Sequence, residues 1–110
     1  MSTINTITVT GTYKDLLGRA GSGVVQFVPD TDIFEDATDE IIYTKQIFSA
    51  RLDAYGKLKA KVPVTDVGNL TPVSFRYTII EKVTGMKRRT TSSVAIPSSY
   101  GETVSITQLI

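Results

Sequence analysis

The 110-residue chain contains no cysteine, no histidine and no tryptophan. Without thiols it has neither disulfides nor dithiol redox chemistry. Without imidazoles it has no histidine general base. The two gaps together exclude most zinc sites and the Ser-His-Asp and Cys-His nucleophilic arrangements. An excess of one charge is also missing: 12 Lys and Arg against 11 Asp and Glu give a net charge of +1, so no strong non-specific pull toward nucleic acid is expected. No apolar run approaches the roughly 20 residues of a membrane helix. The N-terminal MSTINTITVTGTY lacks the basic region and continuous apolar core of a signal peptide. The expectation is a soluble, free-standing domain made in the cytoplasm, with no metal, no cofactor, no nucleic acid and no membrane among its partners.

What is present is alternation. Ile7, Val9, Gly11 and Tyr13 alternate with Thr6, Thr8, Thr10 and Thr12, the pattern of a half-buried strand. Lys14 to Gly18 and the Gly21-Ser22-Gly23 run then read as a turn and a short loop, and residues 24–28 as a second strand stopped by Pro29. Residues 41–54 suit one long strand or two, with Phe48, Ala50 and Leu52 sharing a face. A tight turn at 54–57 leads to the most regular stretch, where Leu58, Ala60, Val62 and Val64 face one way and Lys57, Lys59 and Lys61 the other. Lysines on an outer strand face guard against edge-to-edge aggregation. After a 66–72 loop, residues 75–97 read as a long β-hairpin that turns at 83–86, and the 97–101 loop leads to a last strand at 103–109. A hairpin with one oily face needs a partner layer. The fold class expected is all-β: one antiparallel β-sandwich of seven to eight strands spanning residues 1–110.

Clustered charge is the only chemistry-bearing pattern. Six of the eleven acidic residues lie between Asp30 and Glu40. Their spacing is not that of a calcium-binding loop, which needs an internal glycine and a terminal glutamate. A helix there would be marginal, and the segment reads as a solvated acidic loop able to dock a basic partner. Lys87-Arg88-Arg89 follows the hairpin turn, but a strand sends Arg88 opposite to its neighbours, and no aromatic residues interleave for base stacking. Of the carboxylates available for paired acid–base work, Asp53, Asp66 and Glu102 sit in or beside turns, and Glu81 is expected at an exposed strand end. Gly18, Gly21 and Gly23 match no phosphate-binding spacing. No enzyme is expected. The candidate partner-binding residues are Asp32, Glu35, Asp36, Asp39 and Glu40 in the acidic segment, and Lys87, Arg88 and Arg89 at the basic tip.

Three segments occur in a known order: GTYKDLLGRAGSGVVQFVP, LDAYGKLKAKVP and FRYTIIEKVTG. In them Asp15 to Gly18 and Asp53 to Gly56 form two D-x-x-G turns. Val25 and Phe27 form a V-x-F strand, Pro63 ends a strand, and Phe75 and Tyr77 form an aromatic strand. This pattern resembles the small β-sandwich modules of tailed-bacteriophage virions, especially of phages of actinobacteria, which look in turn like transthyretin-like, carboxypeptidase-regulatory sandwiches. The match spans about three-quarters of the chain, and every motif in it is a turn or core signature. The acidic 30–40 segment departs from the pattern. The resemblance implies a non-enzymatic virion protein, foremost a capsid decoration protein binding the major capsid protein in many copies or as a homo-oligomer. A tail or baseplate role, as minor tail or tail-tube protein, is the alternative. A carbohydrate-binding sandwich is the second, with Tyr13, Tyr43, Tyr55 and Tyr100 as the available platforms.

Overall fold

Alternating β-branched and polar residues set the local structure throughout the computed structural model, which describes residues 4–68, 70–72 and 74–110. Residues 1–3 of the N-terminal stretch, Asn69 of the expected 66–72 loop, and Val73 lie outside the described residues. Among the described residues the strands are β1 (Thr6–Thr12), β2 (Gly23–Pro29), β3 (Ile33–Asp36), β4 (Ile41–Thr44), β5 (Phe48–Arg51), β6 (Lys57–Pro63), β7 (Tyr77–Val83), β8 (Arg89–Val94) and β9 (Thr103–Ser105). They form a β-sandwich with a sheet ordered β6-β1-β9, a sheet ordered β5-β2-β7-β8, and a separate β3-β4 hairpin. The core lies between the two larger sheets. Ile7, Val9, Leu58, Ala60, Val62 and Val104 fill it from one side, and Val25, Phe27, Tyr77, Ile79, Val83 and Val94 from the other. Each fully buried Val, Leu, Ile or Phe contributes roughly 1.5–3 kcal/mol against leaving it in water.

The lysine-guarded strand is β6, an edge strand with Lys57, Lys59 and Lys61 exposed. The 75–97 hairpin forms as β7 and β8 in antiparallel register, with Gly85 at φ 89° in its turn. Residues 41–54 resolve into two strands, β4 and β5, which belong to different sheets.

The all-antiparallel expectation, the 103–109 strand and the 30–40 loop are corrected. The sandwich is not wholly antiparallel: β9 pairs in parallel with β1, Thr8 opposite Thr103. The cause is parity, because β8 runs away from the β7–β8 turn, the 95–102 connection crosses to the other sheet, and β9 returns in the direction of β1. The expected 103–109 strand stops at Ser105, whose hydroxyl caps Thr107 N at 3.2 Å while Gln108 reaches back to Ser105 N at 3.1 Å, closing a short 3-10 turn.

The last correction concerns 30–40, which is not a loop. Phe34 pairs with Tyr43 and Asp36 with Ile41 across the β3-β4 hairpin. Phe34 is held against Phe75 with ring centroids 4.8 Å apart, and Glu35 and Thr71 exchange backbone hydrogen bonds of 3.0 and 2.9 Å. Tertiary burial of one aromatic face overrides the polar composition.

The molecule measures 52 × 23 × 20 Å. Three or four strands at about 4.8 Å, or two sheets about 10 Å apart, cannot span the long dimension, so it runs along the strands. One end carries the 13–22, 52–56 and 84–88 turns; the other carries β3-β4, residues 64–68, 70–72 and 74–76, and the 95–102 connection.

Candidate functional site

At the turn end, both D-x-x-G segments fold alike. The Asp15 carboxylate accepts from Leu17 N and Arg19 N, each at 2.9 Å, and Gly18 N donates to Asp15 O at 3.0 Å. The Asp53 carboxylate accepts from Tyr55 N at 2.8 Å and Lys57 N at 2.9 Å, and Gly56 N donates to Asp53 O at 3.0 Å. These backbone N–H groups hold both carboxyls below the usual range, with the Arg19 side chain assisting at Asp15. Gly18 and Gly56 have φ of 81° and 75°, conformations in which an L side chain is strained. The geometry leaves the two residues between each Asp and Gly pointing outward. Leu16 is 106% exposed, Leu17 80% and Tyr55 72%. Met86, on the β7–β8 turn, is also exposed at this end.

Beneath these turns lies a charge. Glu81 was expected to be exposed, yet it is completely buried. Its carboxylate accepts from Arg89 Nε at 2.6 Å and Arg89 Nη2 at 3.1 Å, and from the Tyr13 hydroxyl at 2.5 Å. Arg89 lies directly across the hairpin from Glu81, and Tyr13 arrives at the end of β1. Burial alone pushes the Glu81 carboxyl up; the Arg89 and Tyr13 hydrogen bonds and the guanidinium charge outweigh it and hold it below its ordinary value. Burial and the adjacent carboxylate push the Tyr13 phenol up, so it remains a donor. A carboxylate enclosed and kept ionised in this way is neither an acid with a proton to give nor a base that a substrate can reach. It ties the first D-x-x-G loop to the β7–β8 hairpin.

The far end has the reverse construction. Phe34, Phe75, Tyr77, Phe27 and Phe48 meet edge-to-face at centroid distances of 4.8 to 6.5 Å, and the Tyr77 hydroxyl donates to Pro63 O at 2.7 Å. Tyr43, Phe48 and Leu70 help to line an apolar pocket of about 120 Å³ beside this cluster. Outside, the exposed carboxylates Asp30, Asp32, Glu35 and Glu40 outnumber the cations Lys45 and Arg76.

Of the residues expected to bind partners, Asp32, Glu35 and Glu40 are exposed on or beside the β3-β4 hairpin and Asp39 is half-buried. Asp36 is buried and accepts from Asp39 N at 3.1 Å, so it braces the hairpin turn instead of facing a partner. Lys87 and Arg88 are exposed at the turn end, whereas the Arg89 guanidinium is committed to Glu81. Charge is therefore unevenly divided between the ends, although Asp15 and Asp53 sit at the turn end and the exposed Lys45 and Arg76 at the hairpin end. Lys14, Arg19, Arg51, Lys57, Lys82, Lys87, Arg88 and Arg89 cluster at the turn end; Asp30, Asp32, Glu35, Asp36, Asp39, Glu40, Asp66 and Glu102 lie in the other half.

Asp53 and Asp66 are engaged in caps, Asp66 with Ser98 at 2.8 and 2.9 Å, and neither pairs with Glu81 or Glu102. Among the described residues no group of three or more acidic side chains converges to hold a metal ion. Tyr13 is bound to Glu81, Tyr43 lines the pocket, and the exposed Tyr55 and Tyr100 lie at opposite ends, so the four make no common platform. The signal that could have found Glu81 is its parity with Tyr77, Ile79 and Val83. Compared with known proteins, the chain matches no family model, no curated protein and no solved structure.

Proposed function

We propose that this chain is a non-catalytic structural protein of a bacteriophage particle, foremost a capsid decoration subunit that binds and stabilises the lattice of the major capsid protein. The observation that carries this reading is the turn end. There, two D-x-x-G turns of the virion-module pattern adopt one shared geometry and hold Leu16, Leu17 and Tyr55 out of the fold. Protruding apolar side chains amid cations mark a protein contact surface. On a repeating lattice, modest affinity per copy accumulates over symmetric contacts. The separation of charge along the long axis favours a second reading, a tail component that stacks on itself. No helix of the described residues is long and apolar enough to cross a membrane, and the partners proposed are proteins.

The test is co-sedimentation of the purified chain with phage heads assembled without it. A fixed copy number per head, lowered by K87E/R88E, is the expected result. Heads that remain bare overturn the decoration reading.

A further inference from the structure

The outer face of the β3-β4 hairpin is the chemical counterpart of the turn end. Alternation puts Phe34 and Asp36 inward, leaving Ile33, Glu35, Ile42 and Thr44 on the outward side. Ile33 is 52% exposed and Ile42 67%, although Ile, Val and Leu are the residues most consistently buried. Ile42 stands directly across from Glu35, and Asp32 adjoins Ile33 with its side chain 85% exposed. This is an apolar patch fringed by Asp32 and Glu35, with Lys45 paired to Asp32 at 3.5 Å beside it. The turn end is an apolar patch fringed by ammonium and guanidinium groups. Within one copy the fringe charges are partly engaged, Asp32 with Lys45 and Arg19 with Asp15 at 2.7 Å, but Ile33, Ile42, Leu16, Leu17 and Tyr55 stay exposed. The two patches lie at opposite ends of a 52 Å molecule, so they cannot meet within one chain.

We propose that the occupant of each patch is a second copy of this chain: the Leu16-Leu17 and Tyr55 tips of one copy rest on the Ile33 and Ile42 face of the next, with Lys87 and Arg88 opposite Asp32 and Glu35. Such a contact is heterologous, since the two surfaces differ. It therefore propagates into an open stack, or closes into a ring if the rotation between copies permits. Apolar contact supplies the affinity, and the opposed charges set polarity, because a tip-to-tip or hairpin-to-hairpin dimer juxtaposes like charges. The inference deepens the reading of the turn end as a protein contact but does not require the particle.

Sedimentation velocity on the full chain tests it, with two variants checked for folding by thermal melting. K87E/R88E reverses the charges on the tip that would face Asp32 and Glu35, and D32K/E35K reverses the pair they would face. The wild type is expected to associate with rising concentration in low salt, about 0.02 M, and to associate more weakly by about 0.5 M, where the charge pairing is largely screened. Each variant alone is expected to be at least tenfold weaker, and an equimolar mixture of the two to regain association, because each then offers the end the other lacks. Three results overturn the inference: a wild type that stays monomeric in low salt up to about 1 mM, association that survives both charge reversals, or folded monomeric variants whose mixture does not associate. A monomeric chain that still binds heads would remove this inference and leave the decoration reading standing.

Discussion

The two ends of the sandwich are built in opposite senses. The hairpin end is apolar inside and mainly acidic outside: Phe34, Phe75 and Tyr77 pack edge-to-face under a surface on which carboxylates outnumber Lys45 and Arg76. The turn end is polar inside and partly apolar outside: a buried Glu81 binds Tyr13 and Arg89, while Leu16, Leu17 and Tyr55 face water. One end is thus held by hydrophobic burial and ring contacts, the other by an ion pair and backbone caps. The comparison separates what the fold needs from what it leaves over. Removing Leu16 from water would bury apolar area, yet the chain holds it out on an aspartate-capped turn. On the proposed reading these residues serve a contact with another protein and not the core.

Breaking each anchor should show the difference in mechanism. Phe75→Ala, which empties the aromatic cluster, should cost about 4 kcal/mol, with little dependence on pH between about 3 and 7. Arg89→Ala leaves a buried carboxylate without its cation. It should cost about 3 kcal/mol at neutral pH, the low side for a broken buried pair because the guanidinium is half exposed. The folded-state pKa of Glu81 is depressed, so its contribution is fully present above the ordinary value of 4.5 and is lost as pH falls through the lower folded value. The difference between wild type and Arg89→Ala should therefore shrink in acid, measurable as converging urea midpoints. A constant difference would mean that Glu81 is not ionised in the native state.

A finer contrast lies between the two D-x-x-G turns. An alanine Cβ at Gly56 would fall 2.3 Å from Tyr13 O, whereas at Gly18 nothing lies within 4 Å. Both glycines carry the left-handed conformation, which costs a residue with a Cβ about 1–2 kcal/mol. Gly18→Ala should lose about 1 kcal/mol by thermal melting, and Gly56→Ala about 3 kcal/mol, because backbone must also move. Equal losses would show that the second turn is not buttressed by the first loop.

These contrasts also explain what the sequence disclosed. Strands β1, β2 and β6 are legible because single-face burial imposes a period of two on Ile7 and Val9, on Val25 and Phe27, and on Leu58, Ala60 and Val62. The D-x-x-G turns are legible because only short local hydrogen bonds make them. Glu81 was misread because its charge argued for the surface, while its neutralising partners lie across a hairpin and 68 residues away at Tyr13. The β3-β4 hairpin was hidden because its two inward aromatics, Phe34 and Tyr43, sit in a polar stretch whose turn has no glycine; Glu40 takes φ 57° instead. The parallel β9 rests on only three paired positions, and its direction follows from the path of the whole chain. The division of charge between the ends needed the topology, since Lys14 and Lys87 are far apart in sequence and share one end only once β1 and β7 are in register with their neighbours.

The central claim is that the turn-end apolar residues serve a contact and not the fold, and the double variant Leu16→Ser/Leu17→Ser tests it most directly. Its unfolding free energy and its sedimentation should be measured beside the wild type at the same concentrations. The account predicts stability within about 0.5 kcal/mol of wild type together with loss of concentration-dependent association. A fall of about 2 kcal/mol or more, or association unchanged from wild type, would contradict it.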